Sequence, residues 1–150
     1  NSDSVILYTA DNGNLVLVYP ADNCGLTVKQ IQAKDIPSGK TSYILNKSAV
    51  PTDRSFRWAW KFDGSAIKTD MTKAKEIHKE NIGKARISKL AELDIEFQRA
   101  LETGASTTDI VSKKQALRDA PSDSAIASAD TEAKLKAQWN TSILGASPYS

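Results

Sequence analysis

The sequence contains very few of the residues on which cross-links and metal sites depend. Its 150 residues include one cysteine, Cys24, and one histidine, His78. A single cysteine excludes a disulfide within the chain and is typical of a protein made in the cytoplasm. No second histidine or cysteine stands at ligand spacing from His78, and no nucleophile motif lies near it, so neither a zinc site nor a Ser-His-acid triad is indicated. We therefore expect no metal, no cofactor and no catalytic residue, and we expect His78 to lie half exposed on a helix.

Long apolar runs and a strong net charge are also missing. No apolar run approaches the ~18–20 residues that span a bilayer, so no membrane partner is expected. The formal net charge is +2 at pH 7, which is too small to indicate nucleic acid as a partner. The segment Gly39-Lys40-Thr41 matches the end of a phosphate-binding loop, but Lys34 stands where that motif needs its first glycine. The sequence predicts a turn there and no nucleotide site.

The composition changes near residue 66. Residues 1–66 contain most of the aromatic side chains and no glutamate, whereas all the glutamates and many alanines follow. Aromatic and β-branched residues favour strands, and Ala, Lys and Glu favour helices. We predict an α+β fold, with a small antiparallel β-sheet lobe containing one short helix, then a long-helix αα-hairpin and a short C-terminal helix. The predicted regions are a β-rich lobe at 1–67, a helical hairpin at 68–120, and a linker, short helix and loose tail at 121–150.

Turn and cap signals place the elements of the first lobe. Asn12-Gly13 and Asp63-Gly64 are typical hairpin turns. Thr27 to Gln30 forms a capping box that opens a helix. Strands are expected at 5–9, 15–19, 42–45 and 56–62, and the short helix at 28–34.

One long helix, from Met71 to about Leu101, dominates the second half of the chain. Thr69-Asp70 supplies a cap and Gly104 a stop. A helix of this length measures roughly 45 Å, which exceeds the diameter of the small lobe, so part of its apolar stripe is expected to need a partner. The residues of the stripe, at helical spacing, are Met71, Ala74, Ile77 or His78, Ile82, Ala85, Leu90, Leu93, Phe97, Ala100 and Leu101. A second helix, capped within 106–109 and ending near Leu117, is expected to run antiparallel to it.

The charges along this helix are segregated. Residues 68–89 contain seven Lys/Arg against three acids, and residues 90–109 contain five acids against one Arg. In one interpretation the second helix packs antiparallel to the first, so that its basic residues lie beside the acidic half of the first helix. The residues involved are then Lys113, Lys114 and Arg118 beside Glu92, Glu96 and Glu102. In the other, two copies of the helix pair with the basic half of one on the acidic half of its neighbour, and salt-sensitive oligomer size would favour this second interpretation.

Four aromatic residues alternate along the expected fourth strand. Alternation places Phe56, Trp58, Trp60 and Phe62 on one face of that strand. With the neighbouring arginines, Arg54 and Arg57, they could form a stacking platform for single-stranded nucleic acid or sugars. We favour a core, because a small sheet must bury one of its faces.

Several short segments resemble proteins encoded among the structural genes of tailed bacteriophages. Residues 51–60 match a Pro-x-Asp-Arg-x-Phe-Arg-x-Ala-Trp pattern of that group, and residues 24–39 match a second one. Residues 73–78, 114–119 and 135–139 also fit, so the likeness spans most of 15–139. The Gln-Ala-Leu-Arg-Asp segment before Pro121 is similar to the C-terminal part of tail-fibre assembly proteins, of which some act as fibre chaperones and some stay attached to the fibre.

The resemblance implies a non-enzymatic structural or assembly protein of the tail or tail fibres. Such a protein is made in the bacterial cytoplasm, is located in the virion, and binds other tail, fibre or neck proteins, with a homo-oligomer as a further assembly. We expect its contacts on the exposed edge of the β lobe and on the outward face of the long helix. The candidate partner-binding residues are Lys75, Lys79, Arg86, Lys89, Arg57 and Trp58.

Three other functions stay open at this stage. The first is a nucleic-acid-binding accessory protein that uses the basic half of the long helix, for which tight and strongly salt-dependent binding would be the sign. The second is a permanent neck or capsid decoration component. The third is an enzyme such as a cell-wall hydrolase, against which the missing pair of carboxylates counts.

Overall fold

The computed structural model describes residues 3–21 and 23–149, in which five short strands and one short helix precede five further helices. The strands are β1 (Ser4–Thr9), β2 (Leu15–Val18), β3 (Ser42–Asn46), β4 (Trp60–Phe62) and β5 (Ile67–Thr69). The helices are α1 (Val28–Asp35), α2 (Met71–Thr103), α3 (Thr108–Asp119), α4 (Ser124–Ser128), α5 (Glu132–Lys136) and α6 (Thr141–Leu144). This order confirms the α+β prediction. Residues 1, 2, 22 and 150, which the predicted regions include, lie outside the described residues.

The chain divides between Asp70 and Met71 into two units. In the first unit, β1 is the centre of a three-stranded antiparallel sheet with the order β2-β1-β3. The loop between β1 and β2 turns at Gly13, whose φ of 85° lies in the left-handed region that glycine adopts without strain. The predicted Asn-Gly hairpin is thus present, and the sheet leaves β2 and β3 as its edges.

A second hairpin pairs β4 with β5, setting Trp60 opposite Thr69. One carboxylate oxygen of Asp63 accepts hydrogen bonds from the backbone N–H groups of Ala66 at 2.8 Å and Ser65 at 2.9 Å. These bonds, the one from Ala66 foremost, lower the pKa of Asp63 to about 2. The turn predicted at Asp63-Gly64 is therefore stabilised by the side chain of Asp63 as well as by the positive φ of Gly64.

The core of the first unit forms where the two hairpins meet. Leu7, Leu15, Trp60 and Ile67 pack together there and are almost wholly buried. Helix α1 contacts β1 and buries Ile31, after opening with the predicted capping box.

The predicted fourth strand at 56–62 is wrong in its first half. Residues 57–59 form a 3-10 turn, and the strand begins only at Trp60. A 3-10 turn has three residues per turn, so Phe56 and Ala59 fall on the same side, and both are buried. Trp58 points the other way and is 62% exposed, which contradicts both a four-ring core and a four-ring platform.

In the second unit, α2 begins directly after the predicted cap and ends at Gly104, where φ is 74°. The N–H of Ala105 reaches back to the carbonyl of Ala100 at 2.9 Å, which is the bonding pattern of a glycine-terminated helix. Helix α3 then returns antiparallel along α2. Its Lys114 pairs with Asp94 at 2.6 Å, so the acidic residue that it meets is different from the three glutamates named in the sequence interpretation.

The predicted short C-terminal helix is present as α5, and the segments predicted as a linker and a loose tail contain two further helices, α4 and α6. Helices α4, α5 and α6 open at side-chain caps supplied by Asp123, Thr131 and Asn140. Each of the three buries one apolar side chain, and α5 and α6 contact α2. These buried residues are Ile126, Leu135 and Leu144. Helices of four or five residues are too short to show a hydrophobic period, so composition alone was misleading.

Candidate partner-binding surfaces

The 3-10 turn of the first unit presents an arginine between two indole rings. The guanidinium carbon of Arg57 lies 5.0 Å from the ring centroid of Trp58 and 4.9 Å from that of Trp60. Its Nη2 donates a hydrogen bond to the carbonyl oxygen of Leu15 at 2.8 Å, while its Nη1 is buried without a hydrogen-bond partner. Burial, and after it the charge of Arg54, lowers the pKa of Arg57. The buried ring of Trp60 and the carbonyl of Leu15 therefore hold Arg57 in place, and Arg57 in turn lies against Trp58.

This arrangement makes Trp58 an exposed aromatic side chain on a fixed base. Arg54 lies in the loop before the turn, with its guanidinium carbon 5.6 Å from the ring centroid of Trp60. Tryptophan and arginine are the residue types that most often dominate the energy of protein interfaces. The structure brings the predicted contact residues Arg57 and Trp58 together, and we call Arg54, Arg57 and Trp58 the arginine–tryptophan surface.

The four basic residues predicted on the outward face of the long helix have different surroundings. Lys75 donates to the carbonyl of Ala127 in the last turn of α4 at 2.7 Å, and Arg86 donates to the carbonyl of Arg118 in the last turn of α3 at 3.2 Å. Cations at helix C-termini satisfy free carbonyls and complement the helix dipole. The head group of Lys89 lies 3.8 Å from Glu92, and a side chain at Gly145 would meet Cε of Lys89 at 3.5 Å. Lys79 is exposed.

Three of these four side chains thus contact other groups within their own unit. The helical pattern of α2 alone did not show these contacts, because they depend on where the C-terminal ends of α3 and α4 pack against α2. Their role in partner binding stays a prediction, and Lys79 is the member of the set most open to solvent.

A row of exposed apolar residues runs along the side of α2 that lies opposite its buried residues. Ile87 is 69% exposed, Ile95 is 54% exposed, and Ala91 between them is also exposed. Leu101, which the sequence analysis placed on the buried stripe, is 56% exposed at one edge of this row. The row is absent from the predicted stripe, although its apolar residues at i, i+4 and i+8 are a signal for it in the sequence. We call Ile87, Ala91, Ile95 and Leu101 the outer row.

His78 is fully buried, so the prediction of a half-exposed histidine is wrong. Its Nε2 donates to the carbonyl of Gln138 at 2.8 Å, which leaves Nδ1 to accept from the hydroxyl of Tyr149 at 2.6 Å. That hydroxyl also accepts from the amide of Asn81 at 3.2 Å. Burial lowers the pKa of His78. The imidazole is therefore neutral, and it ties the last described residues to the N-terminal part of α2.

The structure also shows the surroundings of Lys40 and Cys24, two residues considered as possible functional groups in the sequence. The amine of Lys40, in the segment that matches the end of a phosphate-binding loop, forms an ion pair with Asp11, and this contact lowers the pKa of Asp11. Cys24 is exposed.

Across residues 3–21 and 23–149, no group of three or more His, Cys, Asp or Glu side chains is placed to hold a metal ion. Over the same residues, no helix combines the length and the apolar character that crossing a bilayer requires.

Comparison with known proteins assigns no family. No protein-family model, no curated protein and no solved structure matches the chain. A functional proposal consequently depends on the surfaces described above and on the sequence resemblance.

Proposed function

We propose that the chain is a non-enzymatic tailed-bacteriophage protein of the tail or tail fibres, structural or assembly-related, that binds other virion proteins through the arginine–tryptophan surface. The observation that carries this proposal is the exposure of Trp58 beside Arg57. Arg57 is a matched position of the Pro-x-Asp-Arg-x-Phe-Arg-x-Ala-Trp segment on which the resemblance depends, and Trp58 occupies the variable position that follows it.

Most apolar residues of that segment are buried and stabilise the turn, whereas Trp58 is exposed on its surface. Phe56, Ala59 and Trp60 are buried and hold the turn, and Arg57 lies between the two indoles. Trp58 contributes nothing to this core. A large apolar ring that neighbouring side chains hold in place on the surface is typical of a contact site, because it loses little conformational freedom when a partner covers it.

Trp58→Ala tests the proposal without disturbing the fold. Removing an indole from a desolvated contact costs about 2–4 kcal/mol, which corresponds to roughly a 30- to 1,000-fold loss of affinity. We expect mass spectrometry of purified phage particles, or of fibre and tail proteins co-purified from infected cells, to detect the wild-type chain and a strongly reduced amount of the variant.

The matched control is Trp58→Phe, which keeps an aromatic ring in the same place and is expected to retain most of the binding. Presence of the wild-type chain in mature particles would indicate a permanent component, and presence only on assembly intermediates would indicate a chaperone. Absence from both, at normal expression, would contradict the proposal.

Nucleic acid binding is a second candidate function, and the observation that favours it is the exposed indole of Trp58 beside Arg57, with a further cation, Arg54, against Trp60. One exposed ring supports the stacking of one base, and the head groups of Lys75 and Arg86 already bond to carbonyls. We therefore expect mobility-shift assays to give only non-specific affinity, with Kd in the range of roughly 10⁻⁴–10⁻⁶ M at physiological salt. Submicromolar binding that falls steeply with salt and is lost in Trp58→Ala would favour this second function over the first.

A further inference from the structure

The outer row of α2 lies on the side of the helix that faces away from the core of the second unit. Residues four apart on a helix lie 40° apart around its axis, so Ile87, Ala91 and Ile95 share one face. The buried residues of α2 lie on the other side. These buried residues are Ala74, His78, Ile82, Leu93 and Ala100. At 1.5 Å per residue, the row from Ile87 to Leu101 is about 21 Å long. It is long enough to pack against another helix over several turns.

Two exposed charges of opposite sign mark the ends of the same face. Lys84 precedes the row and Glu102 follows it, and both are exposed. They are separated by about 27 Å along the axis. Glu102 also accepts a long hydrogen bond from Gln98 at 3.5 Å, which leaves its carboxylate on the outer surface. A partner for this face must therefore place an acidic group near Lys84 and a basic group near Glu102, at the same separation.

A second copy of α2, turned end to end, meets this requirement. We propose that the outer rows of two chains pack antiparallel, with Lys84 of each chain opposite Glu102 of the other. The register that sets Lys84 opposite Glu102 also sets Ala91 opposite Ile95, so a small residue faces a large one in two symmetric places. A parallel pair in register would instead set Lys84 beside Lys84 and Glu102 beside Glu102, with like charges side by side.

The expected strength follows from the size of the row. One pair of helices that meet over four turns buries less than the ~1,200–2,000 Å² of a stable protein–protein interface. We expect a dimer that dissociates in the micromolar range and that weakens as salt screens the two Lys84–Glu102 pairs. Such an affinity keeps the free chain largely monomeric when dilute and joins copies where assembly concentrates them.

Sedimentation velocity of the full chain, over a concentration series through the micromolar range, tests the proposal. We expect a monomer–dimer equilibrium in the wild type. Ile95→Glu is expected to weaken the dimer at least about tenfold, because it places a charge in the middle of the row. The matched control is Val111→Glu on α3, which changes a side chain that is 48% exposed but lies outside the row, and it is expected to leave the dimer unchanged.

Charge reversal tests the register. Lys84→Glu and Glu102→Lys are each expected to weaken the dimer, and the double variant is expected to restore it, because every opposed pair is then attractive again. Circular dichroism and the melting temperature check that each variant is folded. A wild type that stays monomeric throughout the series, a dimer indifferent to Ile95→Glu, or a double variant as weak as the single ones would overturn the proposal. None of these outcomes depends on whether the arginine–tryptophan surface binds virion proteins.

Discussion

Trp60→Ala is expected to lower the free energy of unfolding of the first unit by about 3–5 kcal/mol. The ring is 1% exposed and packs with Leu7, Leu15 and Ile67 where the two hairpins meet. Its loss opens a cavity at that junction and also removes the surface on which Arg57 lies. Because domains of this size have total stabilities of about 5–15 kcal/mol, the change takes a large share of the total. Urea unfolding and amide hydrogen exchange of β1 measure it.

The neighbouring tryptophan is the control for this substitution. Trp58→Ala removes the same chemical group from a site that is 62% exposed, so it forfeits mainly the contact with Arg57, worth about 1 kcal/mol or less. We expect Trp60→Ala to accelerate exchange throughout β1, and Trp58→Ala to leave it nearly unchanged. Equal losses in the two variants would contradict the assignment of one indole to the core and the other to the surface.

His78→Ala is expected to lower the free energy of unfolding of the second unit by about 2–4 kcal/mol at neutral pH. The substitution empties a fully buried site between Tyr149 and Trp139, whose ring centroids lie 5.6 and 6.0 Å from that of the imidazole. It also leaves the carbonyl of Gln138 and the hydroxyl of Tyr149 without their bonds to the imidazole. Tyr149→Phe, which keeps the stacked ring and removes only the hydroxyl, is expected to cost about 1 kcal/mol. Thermal and urea unfolding compare the two variants.

The same histidine makes the stability of the second unit depend on pH. Burial lowers the pKa of His78 in the folded chain below its ordinary value of 6.5, so the unfolded chain takes up the proton first as the pH falls. The contribution of His78 is therefore complete above pH 6.5 and is lost progressively as the pH drops toward the folded pKa. Protonation would place a positive charge in a fully buried site, and Lys136, 5.9 Å from the ring centroid of Tyr149, adds a second positive charge nearby.

The difference in unfolding free energy between the wild type and His78→Ala, measured between about pH 7 and 5, isolates this effect from the titration of carboxylates. We expect the advantage of the wild type to shrink as the pH falls. A constant or growing advantage over that range would show that the folded chain accommodates the imidazolium, contrary to the hydrogen bonds described here.

Local signals in the sequence were sufficient for the regular elements. The capping box from Thr27 to Gln30, the left-handed Gly13 and the stop at Gly104 all lie where their residue types predicted them. Each of these features depends on the backbone preferences of one to four adjacent residues, which no distant contact needs to supply. The change from aromatic to alanine- and glutamate-rich composition was enough, for the same reason, to predict the α+β class.

The candidate surfaces depended on contacts between distant residues. Whether Trp58 points inward or outward was decided by a 3-10 turn that Arg57 fastens to the carbonyl of Leu15, 42 residues earlier in the chain. An alternating pattern of aromatic residues could not show this, because alternation implies an extended strand. Likewise, the three basic side chains of α2 that contact groups in their own unit could be recognised only once α3, α4 and α6 were placed.

The amino-acid sequence by itself determined the α+β class, the positions of the turns and the span of the long helix, because φ preferences, caps and helical periodicity act over a few neighbouring residues. Only the tertiary structure decided which side chains stay outside. It buried His78 beneath a tyrosine 71 residues away, and it left Trp58 and the outer row of α2 uncovered. Burial is a property of what packs against a residue, and the sequence of α2 alone does not show which distant segments cover each of its apolar faces.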